Sequence, residues 1–236
     1  MISVCMATYN GEKYIYQQIN SILLQLCRDD ELIIVDDSSS DATLQIVESF
    51  KDKRIKIIKN ATNFGVLKSF SRAIESSSGD YIFLSDQDDI WLPGKVEKMV
   101  SAMNKSGKML CLSDAYIMND TGEIEGFFLE TRGKRRNLLG ALYKNFFIGC
   151  CMAFRKEIKP KILPFPDGIN MHDQWIGLNS MMLNSFVFIS EPLIMYRRHS
   201  QNVTSMIKGS IASIAMKRIS VFRQIVTIFY RRLRKI

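Results

Sequence analysis

The run Tyr81-Ile82-Phe83-Leu84-Ser85-Asp86-Gln87-Asp88-Asp89 is an apolar stretch that ends in three carboxylates. Acidic side chains at this spacing repel one another, and a fold gains no stability by gathering them at a strand end. A divalent cation removes that cost, because hard cations bind carboxylate oxygens and keep positions open for phosphate oxygens. In an open α/β sheet, ligands collect at the carboxyl ends of the strands. The cluster therefore points to a metal–diphosphate site. The alternative is a polar turn whose Asp residues cap the helix that begins after Pro93.

Such a site needs strands that end together and helices that cover them. Residues 2–7 read as a strand and 12–25 as an amphipathic helix, with Tyr14, Ile15, Ile19, Ile22 and Leu23 at helical spacing. Strands follow at 31–36, 55–59 and 81–85, and helices at 41–50, 66–77 and 95–106. This alternation implies βαβ units and a mostly parallel central sheet flanked by helices. Three strand ends are polar: Thr8-Tyr9-Asn10, Asp36-Asp37 and Asp86-Gln87-Asp88-Asp89. In a parallel sheet they share one edge, so clusters scattered in sequence converge in space. Beyond residue 109 the pattern is mixed. It gives a strand at 109–116, a loop and short helix over 122–144, a strand at 147–154, a Pro-marked loop, a helix at 173–184 and a strand at 186–189.

A chain of 236 residues, 47% hydrophobic and 24% charged, suits one large α/β domain or a core domain with an appendage. Its five cysteines are odd in number and lack zinc spacing, and Cys5 and Cys111 sit inside apolar strands, which indicates reduced, buried thiols. No basic leader precedes the first strand, and no apolar run approaches the ~20 residues of a spanning helix. The expectation is a cytoplasmic protein. The net charge of +8 matches eight cations between Lys208 and Lys235, and no acidic residue follows Glu191. The basicity thus belongs to the tail.

The segments Val4-Cys5-Met6-Ala7-Thr8-Tyr9-Asn10, Val35-Asp36-Asp37-Ser38-Ser39, Asn63-Phe64-Gly65, Gly79-Asp80-Tyr81-Ile82 and Asp86-Gln87-Asp88-Asp89 follow one another in a telling order. With His172-Asp173-Gln174-Trp175 and Tyr196-Arg197-Arg198-His199-Ser200-Gln201-Asn202, the chain resembles family-2 glycosyltransferases. Within that family it looks like bacterial rhamnosyltransferases of surface-polysaccharide assembly. The resemblance implies a GT-A fold over residues 1–205, with a nucleotide-binding half (1–108) and an acceptor-binding half (109–205). It further implies an inverting hexosyltransferase that moves a sugar from a UDP- or dTDP-sugar, dTDP-rhamnose among them. The implied acceptor is a polyprenyl-diphosphate-linked oligosaccharide of O-antigen or capsule synthesis.

The same resemblance implies roles for single residues. Asp37 would accept the imide N–H of the base, since a carboxylate is acceptor-only. Tyr9 would stack on the base beside the Ala7 and Thr8 backbone. Lys68 is a candidate phosphate or base contact, against a plain reading as solvated helix surface. Asp86 would touch the ribose or a metal-bound water, Asp88 would bind Mn²⁺ or Mg²⁺, and His199 would complete the metal shell. Asp89 would shape the turn. Asp173 would act as general base, against a plain reading as a helix N-cap. His172 replaces the Glu of many relatives. Gly149 would let the backbone approach the sugar, and Trp175 would either floor the acceptor pocket or fill core. The basic run Arg132-Gly133-Lys134-Arg135-Arg136 is a candidate contact for a lipid diphosphate, against a solvated loop. Two rivals are a sugar-phosphate nucleotidyltransferase, whose Gly-rich opening loop is missing here, and a non-catalytic sugar-nucleotide-binding or scaffold module.

Residues 206–236 read as a basic amphipathic helix. Ile211, Ile214, Ala215, Phe222, Ile225, Val226, Phe229 and Leu233 fall on one stripe, with Ser213, Ser220, Thr227, Arg231 and Arg234 opposite. Such a helix suits the inner face of the cytoplasmic membrane, at about 1 kcal/mol per nearby Lys or Arg. It could instead dock on the domain or pair copies in a homodimer. Nucleic acid is not expected, since no aromatic platform interleaves the charge.

Overall fold

The first strand, β1 (Ile2–Thr8), is buried along nearly its whole length, as an apolar run must be when sheet neighbours flank it and helices cover both faces. It pairs in parallel with β2 (Glu31–Asp36) on one side and β4 (Tyr81–Ser85) on the other, and β2 pairs in parallel with β3 (Ile55–Lys59). Helices α1 (Ile15–Leu23), α2 (Thr43–Ser49) and α3 (Val66–Ser76) make the crossovers. The computed structural model describes residues 1–128, 140, 145–169, 171–199 and 211–233. The basic run at 132–136 lies outside them.

Beyond β4 the sheet changes character. After β5 (Ile90–Trp91) and α4 (Lys95–Ser106) come β6 (Leu110–Met118), β7 (Ile124–Phe127), β8 (Met152–Arg155) and, after the short α5 (Lys159–Ile162) and α6 (His172–Met182), the long β9 (Phe186–Arg197). The strand order is β3-β2-β1-β4-β8-β6-β9-β5, with β7 on β6. β8 runs antiparallel to both β4 and β6, and β9 runs parallel to β6. The sheet is therefore parallel in its first four strands and mixed beyond them.

Four local readings need correction, the first being the loop expected from residue 122, where Ile124–Phe127 forms the strand β7. The strand expected at 147–154 begins only at Met152, because a 3-10 turn over Gly149–Cys151 precedes it. The strand expected to stop at Ile189 continues to Arg197 through Glu191 and Pro192. Register shifts against β6 around Asp114 absorb the proline there. The two-residue β5, unseen in the sequence, pairs Ile90 with Met195 and Trp91 with Ile194. That pairing carries the acidic loop to the end of β9.

The tail forms α7 (Ile211–Leu233) and packs on the domain, with Val221, Gln224 and Ile228 buried. No described helix is long and apolar enough to cross a membrane.

The sheet end remote from the polar loops is tied by Glu31. Its Oε1 accepts from Ser78 N and Ser78 Oγ, each at 2.8 Å, and from Ser3 Oγ, while Oε2 accepts from Lys56 Nζ at 2.6 Å. One carboxylate thus joins β1, β2, β3 and the turn into β4. Burial pushes the Glu31 carboxyl up, but Lys56, Ser3 and Ser78 outweigh it and hold it at about 2 against an ordinary 4.5. A lowered folded value gives stability that is present above the ordinary value and lost as pH falls through the folded one. Glu31→Gln is therefore expected to melt below wild type at pH 7, with the gap closing between about pH 4.5 and 2. Thermal denaturation across that range checks it.

Candidate active site

Two loops at the carboxyl edge are locked by one amide. Gln87 Oε1 accepts from Thr8 Oγ1 at 2.6 Å and from Tyr9 N at 2.9 Å, and Gln87 Nε2 donates to Tyr9 O at 3.1 Å. An ionised carboxylate could not do this, since it accepts but does not donate. A Cβ on Gly11 would lie 2.4 Å from Gln87 Oε1, so the glycine is required for the clamp. From below, Gln18 Nε2 donates to Ser85 Oγ at 2.7 Å and to Asp86 O at 3.0 Å. Sequence reasoning passed over Gln87. Its signal was a lone amide between two acids.

The β2 end supplies Asp37, which is buried and heavily engaged. Its Oδ1 accepts from Asn60 Nδ2 at 2.7 Å and Phe64 N at 2.8 Å, and its Oδ2 from Gly65 N at 2.7 Å. A carboxylate offers about four acceptor positions, so these bonds leave roughly one on Oδ2 for an outside donor. The same bonds shape the 63–65 loop, where Gly65 takes a φ of 86°. Lys68 Nζ sits 5.4 Å over the Phe64 ring. Phe64 and Tyr9 are both largely exposed. Asp37 N in turn donates to Thr8 O at 2.8 Å, which sets the Asp37 loop beside the end of β1.

Asp86, Asp88 and Asp89 are held apart by different partners. Asp88 Oδ2 lies 2.7 Å from His199 Nε2. The His199 ring stacks on Tyr14 with centroids 5.1 Å apart, and Tyr14 Oη donates to Asp120 Oδ1 at 2.7 Å. Arg197, buried at the end of β9, donates from Nε to Asp88 O at 2.9 Å and from its backbone N to Asp89 Oδ1 at 3.0 Å. Asp89 therefore shapes the turn as expected, but its buried Oδ2 has no hydrogen-bond partner. Donor atoms of Asp86, Asp89 and Cys150 lie within 4.8 Å of one another. Beneath them the fully buried Lys95 donates to Cys150 O and sits 4.5 Å over the Trp91 ring. Burial lowers the Lys95 ammonium while the nearby thiols and carboxylates raise it. Lys95, Arg197 and Tyr14 were not picked out as site residues from the sequence, because only the folded β5–β9 pairing brings two of them here.

Asp173 is the second residue of α6. The N-cap is Met171, so the plain capping reading does not hold. Asp173 is buried, its Oδ1 accepts from Gln174 N at 2.6 Å, and its charge is felt at Asp86. His172 stacks on Phe70 with centroids 4.0 Å apart, and burial lowers it to about 3, so it is neutral. Its Nε2 lies 2.7 Å from where a Cβ on Gly149 would stand, so the glycine makes room for this imidazole. Trp175 is fully buried and donates from Nε1 to Ile162 O at 2.8 Å, which settles it as core.

The sequence model described as Glycosyl transferase family 2 matches residues 3–163. The chain belongs to that family. This glycosyltransferase is 30% identical over 209 residues to the Escherichia coli UDP-Glc:alpha-D-GlcNAc-diphosphoundecaprenol beta-1,3-glucosyltransferase WfgD, covering 87% of this chain and 80% of that one. It is 28% identical over 212 residues to the Shigella flexneri dTDP-rhamnosyl transferase RfbG, covering 84% and 72%. Among solved structures, S. aureus TarS 1–349 in complex with UDP-GlcNAc superposes with a TM-score of 0.75 at 22% identity, over 96% of this chain and 66% of that chain. The likeness shows a GT-A fold.

The donor set of this glycosyltransferase suits a hard divalent ion such as Mn²⁺ or Mg²⁺. Carboxylates and an imidazole are available, and Asp89 Oδ2 is an orphaned buried acceptor. Burial, then the charges of Asp88 and Asp173, push Asp86 up to about 7 from an ordinary 3.8, against the pull of Lys95 and Cys150. A raised acid favours the neutral folded form, so stability without a cation declines as pH climbs from the ordinary value toward about 7. Below about 7 a cation must displace a proton from Asp86. Mn²⁺ is therefore expected to raise the melting temperature more at pH 8 than at pH 6, and Asp86→Asn to shrink that difference. Thermal shift at both pH values decides it, and an equal rise in the wild type would remove Asp86 from the site.

Proposed function

We propose that this chain is an inverting glycosyltransferase whose donor is a UDP- or dTDP-sugar, dTDP-rhamnose included. Its acceptor is a polyprenyl-diphosphate-linked oligosaccharide of O-antigen or capsule synthesis, met at the inner face of the cytoplasmic membrane. The placement of the first turn of α6 against the acidic loop carries the reading: His172, the neighbour of Asp173, abuts Gly149, and Cys150, next in the chain, brings its Sγ within 4.8 Å of the Asp86 and Asp89 ligand atoms. A base and a diphosphate-facing cluster belong on opposite sides of the reacting carbon. WfgD and RfbG, whose names give a diphosphoundecaprenol acceptor and a dTDP-rhamnosyl donor, support the two substrate classes.

In this reading residues 1–108 hold the nucleotide and 109–205 the acceptor, with 206–236 as the tail. Asp37 accepts from the base, Tyr9 stacks on it, and Lys68 and the Ala7–Thr8 backbone border the donor. Gly149, whose Cβ position is taken by His172, would meet the sugar with its backbone. The Asp173 carboxylate takes the acceptor hydroxyl proton as that oxygen bonds to the anomeric carbon. The anomeric C–O bond to the diphosphate breaks in the same displacement, and its electron pair leaves with the nucleoside diphosphate. Asp86, Asp88 and His199 would hold Mn²⁺ or Mg²⁺, which when bound would neutralise charge on the diphosphate.

Asp173→Asn is expected to keep donor affinity and lose about 10²- to 10⁴-fold in turnover, the usual weight of a positioned base. Calorimetry with UDP- and dTDP-sugars and a transfer assay on a lipid-diphosphate acceptor measure the two halves. Near-normal turnover would exclude Asp173 as base. Asp88→Ala should abolish the part of donor binding that EDTA also abolishes, and an affinity indifferent to both changes would sink the metal role.

A further inference from the structure

Helix α7 is docked by a mixed side, where Val221 and Ile228 are buried beside Gln224 and Ile225 packs on the core. Arg232 donates to Met182 O at 2.9 Å and Asn179 O at 3.0 Å, carbonyls near the C-terminal end of α6. Arg231 donates to Pro164 O at 3.0 Å and lies 5.3 Å over the Trp175 ring. Gln224, buried, reaches Gln174 Oε1 at 3.5 Å. The opposite side carries Met216, Ile219, Phe222, Val226, Phe229 and Leu233, each between 50% and 68% exposed. They recur every three or four residues, a single helical stripe about 25 Å long. Scattered exposed apolar residues are ordinary, but a continuous stripe on an anchored helix is an interaction surface.

We propose that this outward stripe lies in the headgroup region of an anionic bilayer, with the helix parallel to the surface. The charge pattern selects that occupant. Arg218 and Arg223 are exposed beside the stripe, and no acidic residue follows Glu191 in the chain. An apolar face with cationic borders matches acyl chains beneath anionic headgroups. A second copy of the helix would set cations against cations, with no carboxylate in the segment to offset them. The helix is not long and apolar enough to cross a membrane, which leaves the interfacial position as the one it could take there. The inference assigns the membrane-facing residues, and it draws on the proposed lipid-linked acceptor only for its purpose. Binding is measured without donor or acceptor, so it can fail while transfer stands, and the reverse.

The full chain is expected to co-sediment with phosphatidylglycerol-containing vesicles, much less with pure phosphatidylcholine, and less again at high salt. The double variant Phe222→Ser/Phe229→Ser should lose about tenfold or more in vesicle affinity, given the apolar area removed, with its melting temperature unchanged. Phe222→Trp should show a blue-shifted emission with anionic vesicles and quenching by brominated acyl chains. Vesicle binding equal in wild type and double variant would overturn the proposal. So would a wild-type dimer that the double variant dissolves without any lipid binding.

Discussion

Carboxylates packed near one another at the end of β4 set the terms for most of this structure. Asp86 and Asp89 bring donor atoms within 4.8 Å of each other. At that separation two ionised groups repel by roughly 3 kcal/mol even at an effective dielectric constant of 20. That is a large share of the about 5–15 kcal/mol that holds a domain folded. The chain meets it in two ways. It brings cations inward, with Lys95 under the cluster and Arg197 at its side, and it lets Asp86 and Asp89 keep protons far above the ordinary range. Both devices are provisional: a divalent ion satisfies the same acceptors more completely, which is why a cluster costly by itself suits a ligand site.

The requirement reaches far along the chain. Arg197 meets Asp89 only because β5 pairs with β9, and β5 is two residues long. β9 reaches that pairing by continuing through Pro192, with its register against β6 shifted to let the proline pass. Gln87 works at shorter range, joining the β1 and β4 ends so that Tyr9 and the acidic loop keep a fixed spacing. The end of β1 and the acidic loop are therefore coupled by a single side chain.

This explains which parts were legible in the sequence. Strands β1 to β4 and helix α4 follow their hydrophobic periods, and their expected limits fall within a residue or two of those observed. Asp37, Asp86 and Asp88 stood out because acids at the ends of apolar runs need a reason. Lys95 and Arg197 did not, since a lysine in a first turn and an arginine after a tyrosine look like surface. Arg197 meets partners about a hundred residues away in the chain, and Lys95 meets Cys150, 55 residues on. The interlock of Gly149 with His172 was hidden for the same reason: neither residue signals the other. The tail was half legible. Its apolar stripe was visible, but which side would dock depended on carbonyls at the end of α6 that no local pattern reveals.

Helix α6 joins these threads. Residues from His172 to Ser180 are all buried, so it is enclosed on every side rather than amphipathic. At about 16 Å long it is stiff on the scale of the site. Asp173 stands at its first turn, and Arg232 of α7 holds carbonyls near its other end. Gln224 of α7 also reaches Gln174, the immediate neighbour of Asp173. A helix so enclosed cannot yield locally, because close-packed interiors pass displacement on rather than absorb it. Whatever fixes α7 therefore also constrains the first turn of α6, where Asp173 stands. The anchored side of the tail, with Arg232 at one end of α6 and Gln224 beside Gln174 at the other, is thus part of what positions Asp173.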